Sequence, residues 1–307
     1  MLPAPPAAAD GVPSAPLAVQ ALVPTTTVIG AATVTWTAPA SSGSSDVTSY
    51  TVTPFDQTSG ATPVGTVVSG SPPSTTTTVS GLVVGDSYTF TVTATNGQGT
   101  SVPSAASNSV VPVGVLPTQS TDATSSGPTG SATASLGTPG TPSSITATAG
   151  GGAGTLDVAT YPSAPIGGST VEGTFFDVSV VPGAAFDEVS VVFCGVTTPG
   201  SVMWWDPATR SYVSASTQSA PVGTGRCVTL DVTASTTPSL ADLVGTVFVV
   251  PVAAGAAGYE VVGADGGVFT FGNASFDGSL PGTGTHVHDV VGMAATADGG
   301  GYWLVGA

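Results

Sequence analysis

The chain contains no lysine. Besides two histidines, its only basic side chains are Arg210 and Arg226, set against 18 acids for a formal charge of −16. A surface this poor in cations cannot neutralise phosphates, so nucleic acid and anionic membranes are poor partners. The missing lysine also removes Schiff-base chemistry and phosphate-binding P-loops. Long apolar runs are missing too: no stretch approaches the roughly 20 residues of a membrane span. No window sustains a 3.6-residue period, so helices should be scarce. Charged residues make up only 7% of the chain, and threonine and serine must keep its surface wet. The acids are scattered, which rules out an acidic tail.

Cysteine is nearly absent, with Cys194 and Cys227 alone. In a cytosolic protein they would be independent buried thiols; in an exported one, the even count suggests one disulfide. Two sulfurs without flanking histidines are too few for a zinc site. The first residues, M-L-P-A-P-P-A-A-A-D, lack a basic start but end in an Ala-rich stretch like a signal cleavage site. They read as a signal-peptide remnant or a disordered lead over residues 1–11.

What is abundant is turn-formers and β-formers. The chain has 42 Gly and 26 Pro, and Thr/Val-rich runs lie between them. That combination indicates an all-β protein. Val79 to Asn96 is the clearest stretch. Tyr88, Phe90, Val92 and Ala94 alternate with Thr89, Thr91, Thr93 and Thr95, which makes a strand with one buried face. Tyr88 sits where a tyrosine corner would tie the preceding Gly81–Gly85 turn to the strand. Around it, residues 12–113 read as seven short strands, the last over Ser104–Val113, suited to a two-sheet sandwich.

Four phrases in this module resemble a fibronectin type III domain: Trp36 in T-V-T-W-T, S-Y-T-V-T, the L-x-x-G-x-x-Y-x-F-x-V-x-A-x-N run from Leu82 to Asn96, and the closing S-A-A-S-N-S-V. The likeness is strongest to the Thr-rich bacterial version found in secreted proteins. It implies a sandwich, with Trp36, Tyr50 and Tyr88 in the core. No Arg-Gly-Asp follows Asn96, so an integrin-type contact is not implied.

Residues 114–140 are Ser, Thr, Gly and Pro with almost no large apolar side chain, and read as a flexible tether. Residues 141–252 read as a second β-sandwich module. Ser144–Ala149 and Thr155–Tyr161 should pair across the glycines at 150–152. Asp206-Pro207 is set up as a type I turn, and Thr237–Leu243 as a short helical turn. Trp204 and Trp205 must face opposite ways on a strand: one belongs to the core, and the other packs on a module or offers a sugar-stacking platform. The phrases F-F-D-V-S-V, W-W-D-P-A-T and S-L-A-D-L-V-G-T-V-F resemble a module of actinobacterial surface and secreted proteins.

Residues 253–307 repeat. Gly258–Ala264 (G-Y-E-V-V-G-A) returns at an offset of 43 as Gly301–Ala307 (G-Y-W-L-V-G-A), each copy beside an Ala-Asp-Gly-Gly turn. The period fits one propeller-like blade, and the phrases resemble a repeat of actinobacterial exported proteins. The second copy stops after seven residues, as in a fragment of a longer protein.

Reactive constellations are few. G-x-G-x-x-G, G-x-S-x-G and H-E-x-x-H do not occur. His286 and His288 in H-V-H-D share a strand spacing that binds metal if Asp277 or Asp265 joins them, but a connector between strands accounts for them as well. No serine context supports a Ser-His-Asp site. Asp187-Glu188 reads as a solvated turn rather than a glycosidase pair. Asp265, Asn273 and Asp277 carry oxygens suited to calcium, although Asp-Gly turn chemistry explains Asp265 alone. Asn273-Ala274-Ser275 spells a glycosylation sequon.

These readings converge on a non-catalytic, exported multi-module protein without cofactor or bound metal, at the cell surface or in the medium. It would serve as spacer, adhesion or binding module for extracellular polysaccharide or protein. An accessory region of a larger secreted glycosidase or peptidase is the alternative, and self-association through exposed strand edges a third expectation.

Overall fold

The computed structural model describes residues 11–24, 28–141, 143–167, 171, 173–196, 202–222, 226–251, 259–271, 276, 278–295 and 302–307. The chain divides into two compact units, Met1–Pro251 and Val252–Ala307. Both are all-β, with 3-10 turns as the described helical elements.

The first unit begins with a sandwich built from β1 (Leu17–Leu22), β2 (Ala31–Thr37), β3 (Ser49–Asp56), β4 (Thr66–Ser69), β5 (Thr76–Ser80), β6 (Tyr88–Asn96) and β7 (Gly99–Thr100). One sheet runs β1-β2-β5 and the other β4-β3-β6-β7. The alternation in β6 is realised in full, with every second side chain buried. Its inward row meets Val34 and Trp36 from the facing sheet and Tyr50 and Val52 from the adjacent strand β3, and Trp36 packs edge-on to Tyr50 at 5.2 Å between ring centroids. The Tyr88 hydroxyl accepts the Val83 N–H at 3.1 Å, which closes the expected corner.

The expected last strand is different. Over 101–110 only Val110 makes a β-bridge, to Tyr88. Instead Ser101, Ser104 and Ser107 meet β6 with a period of three. Their N–H groups donate to the carbonyls of Ala94, Val92 and Phe90 at 2.8–2.9 Å. Their hydroxyls accept from the N–H groups of the same three residues at 2.9–3.0 Å. A serine oxygen thus stands where a paired strand would place a carbonyl. Pro103, lacking an N–H, fits this spacing and could not fit a central ladder.

A second sandwich follows. Its strands are β8 (Gln119–Ser125), β9 (Ala132–Leu136), β10 (Ile145–Gly150), β11 (Gly154–Tyr161), β12 (Gly173–Val180), β13 (Glu188–Phe193), β14 (Met203–Asp206), β15 (Ser211–Ser214), β16 (Val228–Thr233) and β17 (Val247–Pro251). The sheets are β16-β13-β10-β9 and β15-β14-β17-β12-β11-β8. Ile145, Leu156, Phe176, Phe193, Leu230 and Phe248 fill the space between them. Cys194 and Cys227 form a disulfide beside the paired β13 and β16. The Asp206 turn forms, with its carboxylate accepting the Ala208 N–H at 2.9 Å. A 3-10 turn at Leu240–Asp242 occupies the expected helical segment.

Two expectations are corrected here. Residues 114–140 are not a tether, because they supply β8 and β9. Low apolar content did not prevent this: an edge strand takes its hydrogen bonds from a neighbour already in place. Ala132 and Ala134 lie opposite Ala149 and Ala147, a small-on-small layer that needs no large side chain. The expected pairing of β10 with β11 also fails. The two strands belong to different sheets, and the glycines between them carry the chain across. Gly151 has φ +80°, and a Cβ on Gly152 would collide with the Ala185 carbonyl oxygen.

In the second unit, β18 (Tyr259–Val262) pairs with β19 (Val268–Phe271), and β20 (Val290–Ala295) with β21 (Tyr302–Gly306). Both copies of the repeat are therefore strands. They sit in separate two-stranded hairpins, with no propeller blade among the described residues. Asp265 accepts the Gly267 N–H at 2.9 Å, which is the turn role expected of it.

Candidate functional site

Each end of the first sandwich gathers loops, and the two ends are used differently. At one end, Val23 after β1, the β5–β6 corner and the segment 110–114 pack on the outer face of the second domain's six-stranded sheet. Val111, Val113, Val23 and Val84 from the first domain share an apolar cluster with Tyr161, Ile166, Trp205 and Tyr212 from the second. The Trp205 indole N–H donates to the Gly85 carbonyl at 2.8 Å. Arg210 pairs with Asp86, which is almost fully buried. Burial raises the Asp86 carboxyl, and Arg210 counters this only in part, with Asp56 adding to the rise. Gly114 donates to the Pro165 carbonyl at 2.6 Å.

This joint settles where the adjacent tryptophans go. Trp204 lies in the core of the second sandwich and Trp205 in the joint, each 6% exposed. Stacking on a sugar needs an open ring face, so the ligand-platform expectation for Trp204 or Trp205 does not hold. A cavity of about 50 Å³ beside the joint, lined by Ser87, Ser109, Trp204 and Asp242 among others, is too small for more than water.

The opposite end of the first sandwich carries the connections 38–48, 70–75 and 97–98. Asn96, 5% exposed, ties this end together. Its amide nitrogen donates to the carbonyls of Gly11, Ser42 and Ser45 at 2.8–3.3 Å. Its side-chain oxygen accepts the N–H groups of Gln98 and Gly99. Such cross-bracing holds Gly11, the 38–48 connection and the 97–98 turn in one arrangement before any ligand arrives, and that lowers the ordering cost of binding. Beside these loops lies an open groove of about 390 Å³, lined by Pro39, Ser42, Asp46, Tyr50, Pro72 and Pro73. It offers apolar proline faces, hydroxyls and one carboxylate above the buried Tyr50.

The remaining sequence candidates do not converge. His286 and His288 are exposed in the stretch before β20, not on a strand. Asp265 is exposed, and Asn273 and Asp277 lie outside the described residues. Asp187 and Glu188 are both exposed at the start of β13 and face no cleft. Among the described residues, no three His, Cys, Asp or Glu side chains gather as a metal site would require. Sequence reasoning missed Asn96, Gly85 and the Asp86–Arg210 pair. The available signal was rarity: one of only two arginines follows directly on the Asp206 turn.

The architecture defines an all-β protein of tandem sandwiches joined through a packed interface. Residues 14–110 match the fibronectin type III domain family, and this segment is such a domain. No curated protein matches the chain. The chain is similar in part to several solved structures. The twitchin kinase region from C. elegans is 28% identical over 33% of this chain and 16% of its own length, with a TM-score of 0.27. Domains A168-A170 from titin are 33% identical over 33% of this chain and 32% of theirs, with a TM-score of 0.28. The FN5 domain of Drosophila Lar is 22% identical over 31% of this chain and 91% of its own, with a TM-score of 0.24. This chain therefore spans a third or less of the twitchin and titin structures, and TM-scores this low carry no argument. Fibronectin type III domains are typically non-catalytic spacers or binding modules of multi-domain proteins.

Proposed function

We propose that the chain is a non-catalytic binding and spacing module of an exported, actinobacterial-type protein. In this reading the first domain presents its Asn96-braced end to an extracellular polysaccharide or protein, and the second domain is a rigid base. The observation that carries this is the contrast between the two ends of the first domain. One is consumed by the joint; the other is open, pre-organised and grooved. A disulfide, a fibronectin type III domain and a surface kept wet by hydroxyls are all consistent with an extracellular setting. No described helix is long and apolar enough to cross a membrane.

Capture of the purified chain on insoluble cell-wall polysaccharide, and on arrayed extended peptides, tests the proposal. Saturable capture that weakens about tenfold in Asn96→Ala supports it, since tenfold is about 1.4 kcal/mol. Capture by neither ligand class, or turnover in a glycosidase or peptidase assay, would overturn it.

A further inference from the structure

The outer face of the six-stranded sheet carries a row of acids where it approaches the joint. Asp122 on β8 stands directly opposite Asp157 on β11, and Asp177 on β12 is 4% exposed one strand further in. Like charges directly opposite on a sheet repel, and a buried carboxylate without a cation is costly. This chain has almost nothing to relieve them. Arg210 is engaged with Asp86, and Arg226 donates to the Val196 carbonyl.

The groups that face Asp177 are acids or neutral hydroxyls. Ser179 donates to its Oδ1 at 2.9 Å and Tyr161 to its Oδ2 at 3.4 Å. Asp157 lies on the neighbouring β11 and Asp122 one strand further out on β8, Tyr212 stands beyond Tyr161, and β17 places Val247 opposite. Both hydroxyl partners also belong to the joint. Tyr161 packs in the cluster with Val111 and Val113. Ser179 accepts the Gly245 N–H at 3.2 Å, and Gly245 lies against Val23 of the first domain.

We propose that this joint is controlled by protons. Asp177, with the Asp122–Asp157 pair beside it, holds a proton while the two domains are firmly docked; losing that proton at higher pH places a bare carboxylate beneath the joint and loosens it. Burial, with the Asp157 charge adding to it, raises Asp177 to about 7 against the Ser179 and Tyr161 hydroxyl bonds, which favour the ionised form. Burial, then the Asp122 charge, raises Asp157 to about 6. A carboxyl raised on folding contributes stability that is complete below its unfolded value, near 3.9, and is lost as pH rises through the folded value. The sensitive window therefore runs from about pH 4 to about pH 7. The device makes the unit firmest in mildly acidic surroundings.

The test is the melting temperature of the full chain between pH 5 and pH 8, together with the Trp205 indole N–H resonance. Wild type should lose about 8–16 °C over that range. Asp177→Asn should remove at least half of this slope, Asp157→Asn part of it, and the exposed control Asp187→Asn none. The Trp205 resonance should shift with pH in wild type and stay still in Asp177→Asn. A wild-type Tm that is flat or rises with pH overturns the proposal, as does an unchanged slope in Asp177→Asn. Should Asp177→Asn fail to fold, an unchanged slope in Asp157→Asn overturns it equally.

Discussion

The indole N–H of Trp205, in the second domain, is hydrogen-bonded to the carbonyl of Gly85 in the first, 120 positions earlier in the chain. Around that bond, valines from one sandwich meet aromatic rings from the other. The bond joins a corner that sequence pattern identifies to a tryptophan whose neighbour fills a separate core. It makes the first 251 residues a two-domain body rather than beads on a string.

Gly85 is the residue most exposed to a small change. It has φ +84°, and an added Cβ would lie 2.8 Å from Ile166 Cγ2 and 3.0 Å from Trp205 Cζ2. Gly85→Ala should cost about 1–3 kcal/mol through backbone strain, with further loss from the forced joint. Denaturant unfolding monitored by tryptophan fluorescence should show a lower midpoint. Trp205→Phe removes only the hydrogen bond and some area, and should cost about 1 kcal/mol or slightly more.

Tyr88→Phe leaves the Val83 N–H without its hydroxyl partner. Losing one part-buried hydrogen bond costs about 0.5–1.5 kcal/mol, and the loss should appear in the melting of the first domain. The same hydroxyl donates to Asp56 at 3.4 Å. Burial works against ionised Asp56, but bonds from Ser59, Thr58 and Tyr88 outweigh it and hold the carboxyl below its usual range. A lowered carboxyl stabilises above its unfolded value, and that contribution fades as pH falls through the folded one. Tyr88→Phe should therefore reduce stability more at pH 7 than at pH 3.

Ser107→Ala should uncover the Phe90 N–H. The serine supplies both sides of that contact, as donor through its backbone and acceptor through its hydroxyl. Hydrogen exchange at the Phe90 amide should quicken at least tenfold, which corresponds to about 1.4 kcal/mol, within the cost of one lost bond. Exchange at Val52, in the middle of β3, should change no more than global stability does.

Reducing the Cys194–Cys227 disulfide, which spans 33 positions, should destabilise the second domain by about 3–4 kcal/mol on the chain-entropy account. Intact mass with and without reductant and alkylation establishes the bond. Paired denaturant melts give its contribution.

The sequence made much of the first domain legible because its signal is local. Tyr88 to Asn96 alternates without a break, and a strand with one buried face has no other pattern available. The tyrosine corner follows from a tyrosine placed just after a glycine turn. The second domain was harder to read because its edges are stabilised by their neighbours. Ala132 and Ala134 look like filler until Ala147 and Ala149 are seen opposite them. The Trp204–Trp205 pair indicated one core ring and a second that packs on a module or stacks on a sugar, and sequence alone did not choose between the last two. Asn96 bonds to carbonyls 51 to 85 positions away, and nothing in its own surroundings announces that reach.

The Trp205–Gly85 joint should make the two sandwiches of the first unit tumble as one body. Backbone nitrogen-15 relaxation of the full chain tests this most directly. One rotational diffusion tensor should fit amides of β2, β3 and β6 together with those of β10, β12 and β13. Two tensors with separate correlation times for the two sandwiches would contradict it.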